Sequence, residues 1–196
     1  MGSGKIETTV MKFLLSLLSP CAKGSSPDDL QSCYRNAPPG VDYASNPTVF
    51  GRILEGSITC APIQESPTCF AFHDHRPAAP FHGLVIPKRY VKTIHSLSKS
   101  DLGMLLELQD MGLEMVRSIS PEAYEKKDFQ LCFHVPPFIS VGHLHLHVLA
   151  PVSEMNFPFT FKFWMGTRWC MDVEDVIAQW TEEEILMARQ STTLLN

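Results

Sequence analysis

The run Val141-Gly142-His143-Leu144-His145-Leu146-His147-Val148-Leu149-Ala150-Pro151 constrains this chain more than any other stretch. Histidine alternates with leucine at a period of two, the pattern of a half-buried β-strand. Successive side chains on a strand face opposite ways. His143, His145 and His147 therefore share one face, spaced by roughly 7 Å at about 3.3 Å per residue. Leu144, Leu146 and Val148 share the other and supply core. Pro151 lacks a backbone donor and ends the strand.

Three imidazoles on one face carry six ring nitrogens that need partners once water is removed. Three readings follow. The face is a polar surface without chemistry, or it ligates a metal through neutral rings. Or one ring is a nucleophile that its neighbours orient.

Composition narrows the partners. The 196 residues are 44% apolar, enough for one domain with extensions. The net charge of -5 and a pI near 5.9 argue against a broad basic surface for a nucleic acid polymer. Cys21, Cys33, Cys60, Cys69, Cys132 and Cys170 form no C-x-x-C pair, so no zinc ribbon is expected. Scattered cysteines suggest reduced thiols inside a cell, and a cytoplasmic location, with the nucleus open. No apolar run reaches the roughly 18 residues of a membrane span, so no membrane partner is expected.

Along the chain, residues 1–45 read as an N-terminal extension, residues 46–155 as the domain and residues 156–196 as a C-terminal extension with short helices. Met1-Gly2-Ser3-Gly4-Lys5-Ile6 begins like a myristoylation signal, but Ile6 stands where Ser or Thr is wanted. Met11–Leu18 is apolar but short and poorly flanked by positive charge, so a docking helix is expected rather than a secretion signal. Pro20, Pro27, Pro38 and Pro39, with Gly24 and Gly40, read as linker. Asn46 and Pro47 suggest a helix cap and first turn, followed by an apolar face of Val49, Phe50, Ile53 and Leu54. That face is either ordinary core or the floor of a pocket for a flat ring.

Strands are expected over Thr68–Asp74, His82–Lys88 (stopped by Pro87) and Phe129–His134. The last should lie antiparallel beside the histidine strand. A long amphipathic helix is expected from Ser98 to about Ile119, with Leu102, Leu105, Leu106, Leu108, Met111, Leu113, Met115 and Val116 on its apolar face. Asp172 is a candidate cap for a helix bearing Val173, Val176, Ile177 and Trp180. Thr181-Glu182-Glu183-Glu184 has the spacing of a capping box.

Taken together, these segments resemble the histidine triad superfamily, whose motif His-φ-His-φ-His-φ-φ is matched at all seven positions from His143 to Leu149. Phe70–Asp74 and Pro80–Lys88 match the family's other segments in order and separation. The flanks Phe133–Val141 and Leu149–Val152 are most similar to the third Hint type. The resemblance covers roughly residues 46 to 180. It implies an α+β fold: an antiparallel sheet of about five strands with a long helix, in a homodimer without cofactor or metal. It implies hydrolysis of purine nucleoside 5′-monophosphate conjugates, phosphoramidates and acyl-adenylates among them, with release of AMP. By position, His145 would be the nucleophile, His143 would orient it and His147 would contact phosphate oxygens. His82 would complete the polar cluster, and Ser140 would contact phosphate or leaving group. Asp74 would hold the ribose hydroxyls, with His75 beside it, and Val49, Phe50 and Ile53 would hold the base. His134 stands where many relatives have Asn of an Asn-x-Gly, and counts with the nucleotide-binding residues. Thr48 and Gly51 stand where some relatives have a Cys-x-x-Cys.

The residue chemistry agrees with a nucleophilic ring. A neutral imidazole is a good nucleophile at pH 7. Attack at phosphorus divides one hard hydrolysis into two displacements. The alternatives are a zinc-dependent hydrolase, a nucleotide-binding adaptor with incidental activity, and an enzyme acting on adenylyl sulfate by hydrolysis or phosphorolysis. Transferase relatives usually carry Gln in place of the last histidine, so His147 favours water as acceptor.

Overall fold

The computed structural model describes residues 37–193. The myristoylation-like start, the apolar Met11–Leu18 run, Cys21, Cys33 and the linker residues Pro20, Gly24 and Pro27 lie outside the described residues. Among the described residues no helix is long and apolar enough to cross a membrane.

Among the described residues six strands form one antiparallel sheet: β1 (Pro62–Glu65), β2 (Cys69–His73), β3 (Phe81–Pro87), β4 (Gln130–His134), β5 (Leu146–Ala150) and β6 (Cys170–Asp172). Their spatial order is β1-β2-β3-β5-β4-β6. Ahead of and around them run α1 (Val49–Leu54), α2 (Leu102–Ile119), α3 (Pro121–Glu125), α4 (Phe159–Lys162), α5 (Val173–Ile177) and α6 (Glu182–Thr193). The sheet is one strand wider than the expected five, since β6 joins from the C-terminal segment. Its three residues are too few to show an alternation. β4 does lie antiparallel beside β5, with Cys132 opposite His147.

α2 covers one face of the sheet. The 3-10 turn that leads into it, Lys99–Asp101, is closed by a capping box, in which Asp101 accepts from the Ser98 backbone N–H and Ser98 Oγ also donates to it. All the apolar residues named for this helix are buried except Leu113 at its rim. They pack with Leu144, Leu146, Val148, Val85 and Leu131. Gly112 lets the helix lie close, because a Cβ there would stand 2.8 Å from Leu131 Cδ2.

The opposite face is also covered, which the alternation of the histidine run does not reveal. α1, with Tyr43 ahead of it, packs on Phe70, Phe72, Leu84 and Ile86. Phe163, Cys170 and Ala78 pack over Leu149 and Cys132. The strand is therefore buried on both faces rather than half-buried.

Two local expectations need correction. The histidine strand is shorter than its alternation suggests: β5 begins at Leu146, so His143 and His145 precede it. The register that sets Val85 opposite Leu146 would set Pro87 opposite Leu144. Pro87 has no N–H to give, its carbonyl is taken by the His143 ring at 3.0 Å, and Leu144 N–H goes instead to Val91 O at 2.7 Å. Second, α1 is capped by Thr48, whose hydroxyl accepts from Phe50 N–H, and starts at Val49. Asn46 is drawn away from the cap by its contact with His143, described below. Further on, Asp172 caps α5 and Thr181 and Glu184 make a reciprocal box at α6, as their spacing suggests.

Candidate active site

The site is built where β3 and β5 run side by side and the chain leads into β5. Alternation puts the three triad rings on the face away from α2. There α1 and the segment around Phe163 enclose a cavity of about 700 Å³. Val49, Phe50, Ile53, Asp74, His75, His82, Ser140, His145 and His147 all line it. His143 and His134 do not: each is buried behind a triad ring. A larger groove of about 1060 Å³ lies between the start of α2 and α6, and no histidine lines it.

Hydrogen-bond partners assign the ring tautomers. His145 Nδ1 lies 2.6 Å from the His143 carbonyl, which can only accept. The proton is therefore on Nδ1, and Nε2 keeps its lone pair. His143 donates from Nε2 to Pro87 O at 3.0 Å, so its Nδ1 accepts from Asn46 Nδ2 at 2.7 Å. Asn46 Oδ1 in turn accepts from Thr48 N–H at 3.1 Å and Thr48 Oγ1 at 2.8 Å. It is thus the main chain of His143, not its ring, that orients His145. The ring and Asn46 pin that main chain against α1. Gly51 permits the closeness, since a Cβ there would meet the Asn46 carbonyl at 2.4 Å.

A second chain of bonds fixes His147. Ala78 N–H donates to His82 Nδ1 at 3.2 Å, so His82 carries its proton on Nε2. That proton is donated to His147 Nδ1 at 2.9 Å. Among the described residues His147 Nε2 is then left as an N–H with no partner. A buried donor without a partner costs about 1–3 kcal/mol, which a ligand acceptor would relieve. His134 donates from Nε2 to Lys162 O at 3.3 Å, leaving its buried Nδ1 without a partner among the described residues. Its ring packs edge-on against His147 at 4.6 Å between centroids.

Burial lowers the proton affinity of all five rings. His82, His134 and His143 are pushed down to about 4, chiefly by desolvation of the charged form. Desolvation also lowers His145, and takes His147 well below its ordinary value, with the neighbouring rings adding to it. The site is thus neutral at its centre at pH 7.

Asp74 stands just past the end of β2. Its carboxylate closes a turn by accepting from Arg76 N–H at 2.8 Å, and lies 3.6 Å from His82 Nε2 and 3.4 Å from the exposed His75. Asp74 thus closes a turn and still lines the cavity, so its place in the turn is compatible with a role toward a ligand. Phe50 packs edge-on to His145 at 5.3 Å, next to Val49 and Ile53, in an apolar wall suited to a flat ring.

Two sets of side chains, His134–His145–His147 and Asp74–His82–His147, each bring one ligand atom per residue within 4.8 Å of the others. Both depend on His147, whose free nitrogen carries a proton in this network. A cation needs a lone pair there, whereas an N–H suits an anion. The donor set fits an oxyanion better than a metal.

The profile of the family described as "Scavenger mRNA decapping enzyme C-term binding" matches residues 47–160, more than half of the chain. An "adenosine 5'-monophosphoramidase HINT3" of Danio rerio is 35% identical over 159 residues, 80% of this chain and 93% of that protein. The chain belongs to the histidine triad superfamily and is HINT3-like. A "bifunctional adenosine 5'-phosphosulfate phosphorylase/adenylylsulfatase HINT4" of Arabidopsis thaliana is 32% identical over 57% of this chain and 73% of that protein. Among solved structures, a histidine triad family hydrolase from Legionella pneumophila superposes with a TM-score of 0.50 at 29% identity, covering 56% of this chain and 96% of that one.

In this histidine triad protein the motif locates the rings but omits their supports. Asn46, Ala78, Pro87 and Phe163 were not picked out as site residues from the sequence. Asn46 carried a signal, a polar residue ahead of an apolar helix, but it reads equally well as a cap. Phe163 is one of six aromatic residues from Phe157 to Trp169, and only folding singles it out as the buried one.

Proposed function

We propose that this chain is a nucleotide hydrolase acting on AMP-type phosphoramidates and acyl-adenylates through a nucleotidyl-His145 intermediate. The observation that carries this reading is the tautomer pair at the cavity: His145 Nε2 with its lone pair free, and His147 Nε2–H free beside it. The names of the relatives support the substrate class.

The residues divide the work as follows. Val49, Phe50 and Ile53 hold the base and Asp74, with His75 nearby, takes the ribose hydroxyls. His147 Nε2–H donates to a non-bridging phosphoryl oxygen, and Ser140, exposed at the rim, meets phosphate or leaving group. His145 Nε2 forms a bond to phosphorus as the bond to the leaving nitrogen breaks, and that nitrogen takes a proton from solvent. The ring is then a phosphorylated imidazolium, and the short bond from Nδ1–H to the His143 carbonyl steadies its charge. Water attacks phosphorus next, gives its proton to solvent, and His145 leaves as neutral imidazole with AMP released. The proposal includes a homodimer, as the family resemblance implies. A sedimentation mass of one chain would remove that part.

His145→Asn and His145→Ala should abolish turnover of an adenosine 5′-phosphoramidate while the melting temperature holds. Full activity in either variant overturns the reading. The HINT4 relative makes adenylyl sulfate the substrate to run alongside, with and without inorganic phosphate. Preference for it over the phosphoramidate would shift the substrate class but keep the nucleophile.

A further inference from the structure

Lys162 ends α4, two residues beyond the segment that the family profile matches. Its backbone is anchored on the histidine cluster. Its carbonyl accepts from His134 Nε2, and the next residue, Phe163, is buried with its ring 5.0 Å from His147, 5.5 Å from His82 and 4.8 Å from His134. The side chain itself is exposed at the rim and lines the same cavity as His145 and His147. Nζ lies over the Phe163 ring, 5.2 Å from its centroid, a contact that tethers a cation without neutralising it. Among the described residues no carboxylate pairs with it. The one carboxylate that lines the cavity, Asp74, accepts from Arg76 N–H and stands beside His82 and His75, and no ion pair joins it to Lys162.

The cavity centre thus consists of neutral imidazoles with an unneutralised ammonium at its edge. The ammonium disfavours protonation of four neighbouring rings, His82, His134, His145 and His147; Asp74 acts the other way, and more strongly, on His82 and His145, so it is at His134 and His147 that the ammonium acts without that counterweight. That arrangement is repulsive to a cation and attractive to an oxyanion. We propose that Lys162 is a further residue of the reaction, its ammonium pairing with a phosphoryl oxygen of the bound nucleotide. It keeps its proton throughout and carries charge that builds on that oxygen as His145 Nε2 closes on phosphorus. The residue comes from the C-terminal segment, so this segment completes the phosphate end of the site.

The inference rests on the reading of the site as a nucleotide hydrolase, and the test separates the two. Lys162→Met and Lys162→Arg are compared with the unaltered chain and with His145→Asn. Steady-state rates are measured on adenosine 5′-phosphoramidate, and binding is measured with AMP and with uncharged adenosine. Lys162→Met should lower kcat/KM roughly 10- to 100-fold and weaken AMP but not adenosine. Lys162→Arg should restore most of both, with melting temperatures unchanged and the difference shrinking as salt is raised. If Lys162→Met binds AMP and turns over within twofold of the unaltered chain while His145→Asn is dead, the Lys162 inference fails and the nucleophile stands. If His145→Asn stays active, the nucleophile fails, while a selective loss of AMP over adenosine in Lys162→Met still upholds the pairing.

Discussion

The histidine strand separates two buried faces that solve different problems. On one, Leu144, Leu146 and Val148 lie against α2 and need only close packing. On the other, His143, His145 and His147 are buried just as deeply, but every ring nitrogen has to be accounted for. The apolar face stabilises by removing surface from water. The polar face spends stability on holding each imidazole in one tautomer, leaving one lone pair and one N–H toward a cavity. Equal burial therefore says little about role: what distinguishes the faces is whether atoms remain without partners.

That contrast can be broken most sharply by exchanging neighbours across the strand. His145→Asn should cost roughly 10⁴-fold or more in turnover and leave the melting temperature nearly unchanged. Leu146→Ala, one residue on, should destabilise by about 2–5 kcal/mol, read from denaturant unfolding, with the folded fraction keeping its specific activity. A large activity loss in folded Leu146→Ala would show that the faces are not separable.

Acid should act first on the histidine face. In the unfolded chain a histidine titrates near 6.5, whereas His82, His134 and His143 are held at about 4 and His145 and His147 below their ordinary values. Between those limits the unfolded chain binds more protons, so stability is complete above about pH 6.5 and falls as the pH drops toward 4. Each unit of depression is worth about 1.4 kcal/mol per ring. Unfolding free energies measured from pH 7.5 to 4.5 should decline steeply, and the acid limb of kcat/KM should lie below 6.5. A flat profile would mean that the rings are not buried neutral.

The smallest effect is expected at the junction of the face with α1. Asn46→Ala removes the donor to His143 Nδ1 and the acceptor for Thr48, for about 1–3 kcal/mol. Activity should fall severalfold through loss of His145 orientation, in kcat more than KM. Unchanged kcat would make Asn46 merely a link in the core.

Much of this was legible beforehand, for a reason visible in particular residues. Alternation sorts His143, His145 and His147 from Leu144, Leu146 and Val148 because the pleat itself has that period. Helical spacing does the same for α2. Motif resemblance then collected Asp74, His82 and Ser140, which the fold brings to one cavity although they come from three separate segments. β1 and β6 escaped because a strand of three or four residues is too short for a period to show. Asn46 escaped because its partner lies 97 residues away.

The amino-acid order by itself determined which side chains share a face, and so which rings and which leucines travel together. It could not state what covers each face. Only the folded chain decided that the histidine side is buried, that Pro87 ends the ladder and gives its carbonyl to the His143 ring, and that Lys162 lines the same cavity as His145 and His147. Periodicity is a property of neighbouring residues, whereas coverage, tautomer and charge at a cavity depend on contacts between segments far apart in the chain.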